Sequence, residues 1–132
     1  MTNLALLTIV GFVLFMSRGI VGPVTSLYAQ DMGASLVLLS ALGTTTSVFS
    51  VFLSYTWGRS SDVKGGRKAF MLIGLGLLAV EALFTAMIPV VSPGLGIARP
   101  YLLLFPTRLI GAVGQTAYST ANLAMLGDLL ET

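Results

Sequence analysis

Arg18, Glu81, Arg108, Gln115 and Asn122 fall inside long apolar stretches of this sequence. A charged side chain near mid-bilayer costs about 2.5 to 3.5 kcal/mol on insertion scales, so it is expected to have a partner or a function. In such a place Arg18 binds an anionic group or holds a carboxylate, and the sequence offers one. Counted along apolar runs beginning near Leu4 and Ala69, Arg18 lies about 21 Å and Glu81 about 18 Å in, at the helical rise per residue. The two depths match, and both an Arg18–Glu81 pair and separate roles fit them. An unpaired Glu81 would be a proton carrier. Arg108, about 10 Å inside the edge of its own run, either snorkels outward or works within the membrane. Steps of three and four residues put Arg108, Gly111, Gln115, Tyr118 and Asn122 on one helical face, a polar track that favours the second. Arg18, Glu81, Arg108, Gln115 and Asn122 are therefore the candidate substrate-binding or coupling residues.

Catalysis is not expected. Without Cys or His there is no thiol nucleophile, disulfide, Cys/His metal site or ordinary triad, and no cofactor is called for. The acids Asp31, Asp62, Glu81, Asp128 and Glu131 are scattered along the chain and form no evident carboxylate pair. The net charge of +2 comes from one short segment and gives no support to nucleic acid as a partner.

The elements that must carry these residues follow from composition. Hydrophobic residues make up 55% and charged residues 9% of the chain, with a mean hydropathy of +0.94, whereas soluble domains carry about 25% charged residues. The pattern is that of an all-α integral membrane protein. Apolar runs at about 4–29, 35–57, 69–91 and 101–126 are each long enough to cross a hydrocarbon core of about 30 Å. No base precedes the first run and no small-residue cleavage site follows it, so it reads as a retained span. Four of the seven Lys and Arg residues (Arg59, Lys64, Arg67, Lys68) lie in 58–68, which the positive-inside bias makes a cytoplasmic loop. Segments 30–34 and 92–100 then face outward, and both termini are cytoplasmic. Residues 1–132 read as a single transmembrane domain of four spans. Along the second run, Ser40, Gly43, Ser47, Ser50, Ser54 and Gly58 form a stripe of small residues, read more readily as a packing face than as a substrate face.

The stretch from Gly58 through Asp62 to Gly65, Gly66, Arg67 and Lys68 resembles the motif that the major facilitator superfamily carries between its second and third spans. Val63 stands where that family has a base directly after the acid, and one extra residue precedes Gly66-Arg67-Lys68. Pro23 with Leu27-Tyr28-Ala29 and Gly33 is similar to the end of the family's first span, and Arg108 with Gly111 and Gly114 to its fourth. The resemblance covers the chain from end to end. It implies an alternating-access secondary transporter in the cell membrane, with twelve spans in two halves built from inverted three-span repeats. This chain would supply the N-terminal portion, the first four transmembrane helices of a partial bundle. The resemblance further implies a small solute, with proton coupling in some members, and a conformational role for Gly58, Asp62, Gly65, Gly66, Arg67 and Lys68. Its partners would be the lipid bilayer, the solute, protons, and the remaining helices or further copies of the chain. Two other readings stand beside it. One is a stand-alone four-helix protein that oligomerises as a small exporter, although such exporters rely on an acid in the first span, where this chain has Arg18. The other is a non-transporting fragment or assembly partner that docks through its small-residue faces.

Overall fold

The computed structural model describes residues 2–64, 66–94, 96 and 98–130, with backbone alone for 2–3, 61–64 and 129–130. Four long helices follow in order: α1 (Thr2–Asp31), α2 (Leu36–Lys64), α3 (Arg67–Gly94) and α4 (Leu104–Leu130), the last entered through a 3-10 turn at Pro100–Leu103. Short connections run successive helices antiparallel.

The first hairpin is closed by local chemistry. Gly33 adopts φ +88°, the left-handed conformation that glycine reaches without steric cost. There its N–H donates to the Gln30 carbonyl at 2.8 Å, while the Ala34 N–H donates to the Ala29 carbonyl at 2.9 Å. Together these bonds satisfy the last carbonyls of α1 in a Schellman motif. The Ser35 hydroxyl then accepts from the Leu38 N–H at 3.3 Å and caps α2.

Helix limits differ from the apolar runs. The segment 58–68, expected as a loop, is helical through Lys64, and helix resumes at Arg67. Hydropathy marks where a chain leaves the apolar phase, not where its helix stops. Nothing in Arg59-Ser60-Ser61-Asp62-Val63-Lys64 breaks a helix, and Gly66, outside either helix, directly precedes α3. Likewise α3 continues through Gly94, past the expected limit near 91.

Helix α4 is the centre of the bundle. It packs closely along α3, takes α2 on another side and touches α1, whereas α1 and α3 barely approach each other backbone to backbone. Glycines set the α3–α4 distance. A Cβ on Gly74 would lie 2.7 Å from the Gly114 carbonyl oxygen and from the Tyr118 amide nitrogen, and one on Gly114 would lie 2.8 Å from Leu77 Cβ. Such small-residue contacts let membrane helices approach where no hydrophobic force drives them together. At one end of the pair, Arg67 donates to the Ala124 carbonyl at 3.0 Å and pairs with Asp128, tying the start of α3 to the end of α4. Nearby, Trp57 of α2 meets Phe70 of α3 edge to face, with ring centroids 5.4 Å apart.

The outer faces are apolar and exposed: Phe12 and Phe15 of α1, Val51 and Phe52 of α2, Leu83 and Val90 of α3. In water that would be an apolar patch far larger than soluble monomers carry. In hydrocarbon it carries no such penalty. Among the described residues three helices, α1, α2 and α3, are long and apolar enough to span a membrane. Helix α4, expected as a fourth span, is comparable in length but is not among them. Its sequence includes Arg108, Gln115, Asn122 and a series of Thr, Ser and Gly. The other three helices cover it, so it has little surface that lipid must meet.

The glycine contacts make a direct test. Gly74→Ala should lower stability by about 1–3 kcal/mol through overpacking against backbone. Gly76→Ala, with nothing within 4 Å of its Cβ position, should be neutral or stabilising by up to about 1 kcal/mol from helix propensity. Unfolding midpoints in detergent micelles read the difference, and equal shifts would show that α3 and α4 do not cross at Gly74.

Candidate functional site

The core is layered. One apolar cluster gathers Ala29, Ala34, Leu42, Ile88 and Leu104, and another gathers Leu7, Met71, Tyr118 and Ala121. Arg18 stands 11 residues from both Leu7 and Ala29 on α1, or about 16 Å from each at the helical rise. Between the two apolar layers lies a charged one.

There the Glu81 carboxylate is shared. Arg18 Nη2 donates to Oε2 at 3.0 Å from α1, and Arg108 Nη1 approaches Oε1 at 3.4 Å from α4. The Glu81 side chain is only 8% exposed, the two arginines 30% and 21%. An unpaired charge at such a position would carry a large desolvation cost, so each arginine offsets a penalty that the acid could not bear alone. The depths matched by counting thus correspond to a real contact. Glu81 is paired twice, so the condition for an unpaired proton carrier is not met. Arg108 turns inward to the acid and does not snorkel.

What admits Glu81 is Gly111. A Cβ there would overlap all three heavy atoms of the carboxyl group. Gly111 lies one turn after Arg108, so α4 presents a cation and a gap side by side. Spacing placed Gly111 on the polar face, but its role depends on the approach of α3, which no local signal encodes.

Two clefts flank the charged layer. The larger, of about 570 Å³, lies between α1, α2 and α4, and Gln115 lines it together with Arg18, Glu81 and Arg108. Its volume is within the range of small-molecule sites, about 300–1,000 Å³. The small-residue stripe of α2 contributes to its wall through Gly43, Ser47 and Ser50. The second, of about 450 Å³, lies between α1 and α3 and is mostly apolar, with Leu14, Val24, Leu78 and Ala86 in its wall. Arg18, Thr25, Glu81 and Arg108 belong to both walls.

The structure thus brings together Arg18, Glu81, Arg108 and Gln115 and leaves Asn122 apart. Asn122 lines neither cleft; its Oδ1 is buried without a hydrogen-bond partner, as is the Tyr118 hydroxyl one turn away. Of the motif residues, Gly58 packs against α4, where a Cβ would lie 3.7 Å from Thr120 Cγ2. Arg67 is engaged by α4, and Lys68 is exposed. Gly66 precedes α3 and its carbonyl accepts the Ala69 N–H at 2.8 Å. Gly65 and the Asp62 side chain lie outside the described residues.

Apolar helices around a buried charged layer flanked by clefts define a helical membrane protein. The family model for the Major Facilitator Superfamily matches residues 7–132, nearly the whole chain, and the chain belongs to that family. No curated protein and no solved structure matches it. It is a multi-pass membrane protein of a transporter family whose members are not enzymes.

Gly111→Ala should push the Glu81 carboxylate off α4 and lower stability by about 1–3 kcal/mol. In a Glu81→Asp background, where the carboxylate is one methylene shorter, the same change should cost less. A double-mutant cycle by thermal unfolding should give a coupling of about 0.5–3 kcal/mol. Additive effects would show that the carboxylate does not rest on Gly111.

Proposed function

We propose that the chain is the N-terminal, four-span part of a secondary transporter that moves a small solute across the cell membrane, with Arg18, Glu81, Arg108 and Gln115 at its solute site. The observation that carries this reading is the shared Glu81 carboxylate with a cleft on each side. Two cations and an acid at mid-bundle are costly to bury, and placement where water and a solute have access gives the cost a use. Helix α4 serves as the fourth span, its polar face covered by its neighbours. Glu81, paired twice, holds the two arginines at the site. The charged groups facing it are Arg18 from α1 and Arg108 from α4. Gly58, Asp62, Gly65, Gly66, Arg67 and Lys68 act on the access cycle rather than on the solute, a reading supported by the contacts that Gly58 and Arg67 make to α4. Asn122 stands one step outside the site.

Orientation follows the positive-inside bias, with the α2–α3 turn in the cytoplasm. The chain has no cysteine, so a single Lys68→Cys substitution reports sidedness without background. In intact cells a membrane-impermeant maleimide should leave it unlabelled and should label it after permeabilisation. Labelling from outside would reverse the topology.

For transport itself, Arg18→Ala in the complete transporter should insert normally, because Glu81 keeps Arg108. Uptake should fall about 10- to 100-fold, the loss of one charged hydrogen bond. Wild-type uptake at normal abundance would remove Arg18 from the site.

A further inference from the structure

Two guanidinium groups and one carboxylate leave the charged layer with one formal positive charge in excess. Each guanidinium carries five N–H donors, and each makes a single contact with Glu81, at 3.0 Å for Arg18 and 3.4 Å for Arg108. Neither pair is bidentate, so among the described residues most of the donors around the layer are uncommitted. The longer contact is the weaker, and it is the one on α4.

The hydroxyls of the larger cleft have the opposite character. Thr25 donates to the Val21 carbonyl at 2.7 Å, Ser26 to Gly22 at 3.2 Å, Ser47 to Gly43 at 2.9 Å and Ser50 to Thr46 at 2.8 Å; Thr46 donates to Gly43 at 3.1 Å. A hydroxyl has one proton to give, and in all five it is held by the side chain's own helix. What these oxygens present to the cleft is lone pairs. Gln115 adds an amide that both donates and accepts. The cleft therefore offers a concentrated cationic donor at one place and acceptors elsewhere.

We propose that the larger cleft takes a small organic monoanion bearing its own O–H or N–H donors, and that its carboxylate replaces Glu81 Oε1 on Arg108. This rests on the transporter reading for its setting and adds the substrate class. The excess of one positive charge sets the charge of the ligand; a dianion would leave the layer negative. The acceptor hydroxyls set its polarity, because an alkyl carboxylate would leave them unpaired once water is displaced. Glu81 keeps its shorter contact to Arg18 when the ligand arrives, so binding exchanges an α3–α4 ion pair for a ligand–α4 pair.

The test is equilibrium binding to the chain in lipid nanodiscs, using four six-carbon probes: gluconate, glucarate, hexanoate and sorbitol. Gluconate should show saturable binding at least about tenfold tighter than each of the others, the worth of one charged hydrogen bond. In Glu81→Gln the layer has two positive charges in excess, and the ratio of glucarate to gluconate affinity should rise by at least about tenfold for the same reason. The ratio is read within one sample, so a partly folded variant does not distort it, and Arg108→Lys should weaken gluconate while the wild-type order of preference is kept. Equal binding of all four, preference for sorbitol or hexanoate, no saturable binding, or an unchanged ratio in Glu81→Gln would overturn the proposal. The transporter reading fails separately: gluconate binding without uptake by the complete transporter sinks that reading alone, and uptake confined to neutral or cationic solutes sinks the monoanion alone.

Discussion

A carboxylate held between two guanidinium groups, with hydrocarbon layers above and below, is the constraint on which the rest of this bundle depends. Each charge is tolerable only because it has a partner of opposite sign. The three residues come from three helices, so their meeting fixes the relative depth of α1, α3 and α4 together. For α1 the constraint is strongest. It packs loosely on its neighbours, and among the described residues its contact with Glu81 is its one polar tie to α3.

The charged layer depends in turn on residues with no charge. Glu81 reaches Arg108 because Gly111 leaves a gap, and α3 lies close enough because Gly74 and Gly114 bring two backbones together. Larger residues at these positions would separate the helices and leave the acid short of its second partner. The many hydroxyls follow the same logic in reverse. A Ser or Thr facing lipid or an apolar cleft satisfies its proton on the carbonyl one turn back, so it can sit in a membrane helix without another partner.

How much of this was legible in the sequence varies by residue for physical reasons. The shared depth of Arg18 and Glu81 could be counted, because helical rise is fixed and both runs start from the same side. That Arg108 completes the cluster could not, since the rotation of one helix about its axis depends on its neighbours. The polar face of α4 was visible as a spacing, but spacing cannot tell a residue that lines a cleft from one whose polar atom is buried away from it, and Gln115 and Asn122 separate on that point. Helix ends are not legible where hydropathy and hydrogen bonding part company, as at Arg59 to Lys64. The same divergence applies to α4. Hydropathy measures what a helix would expose, and α4 exposes little because three others surround it.

The glycine contacts also limit how this unit can change shape. With Gly74 and Gly114 in backbone contact, α3 and α4 cannot slide without breaking several close contacts, and Arg67 holds one end of the pair. Helix α1 has no such lock, and Pro23 has no N–H to offer the carbonyl four residues back. Relative displacement is therefore easiest between α1 and the α3–α4 pair. Arg18 and Thr25 stand on α1 and line both clefts, so the helix with the fewest ties is also one that borders both. The Glu81 carboxylate cannot follow Arg18 far without losing Arg108, whose contact is already the longer of the two.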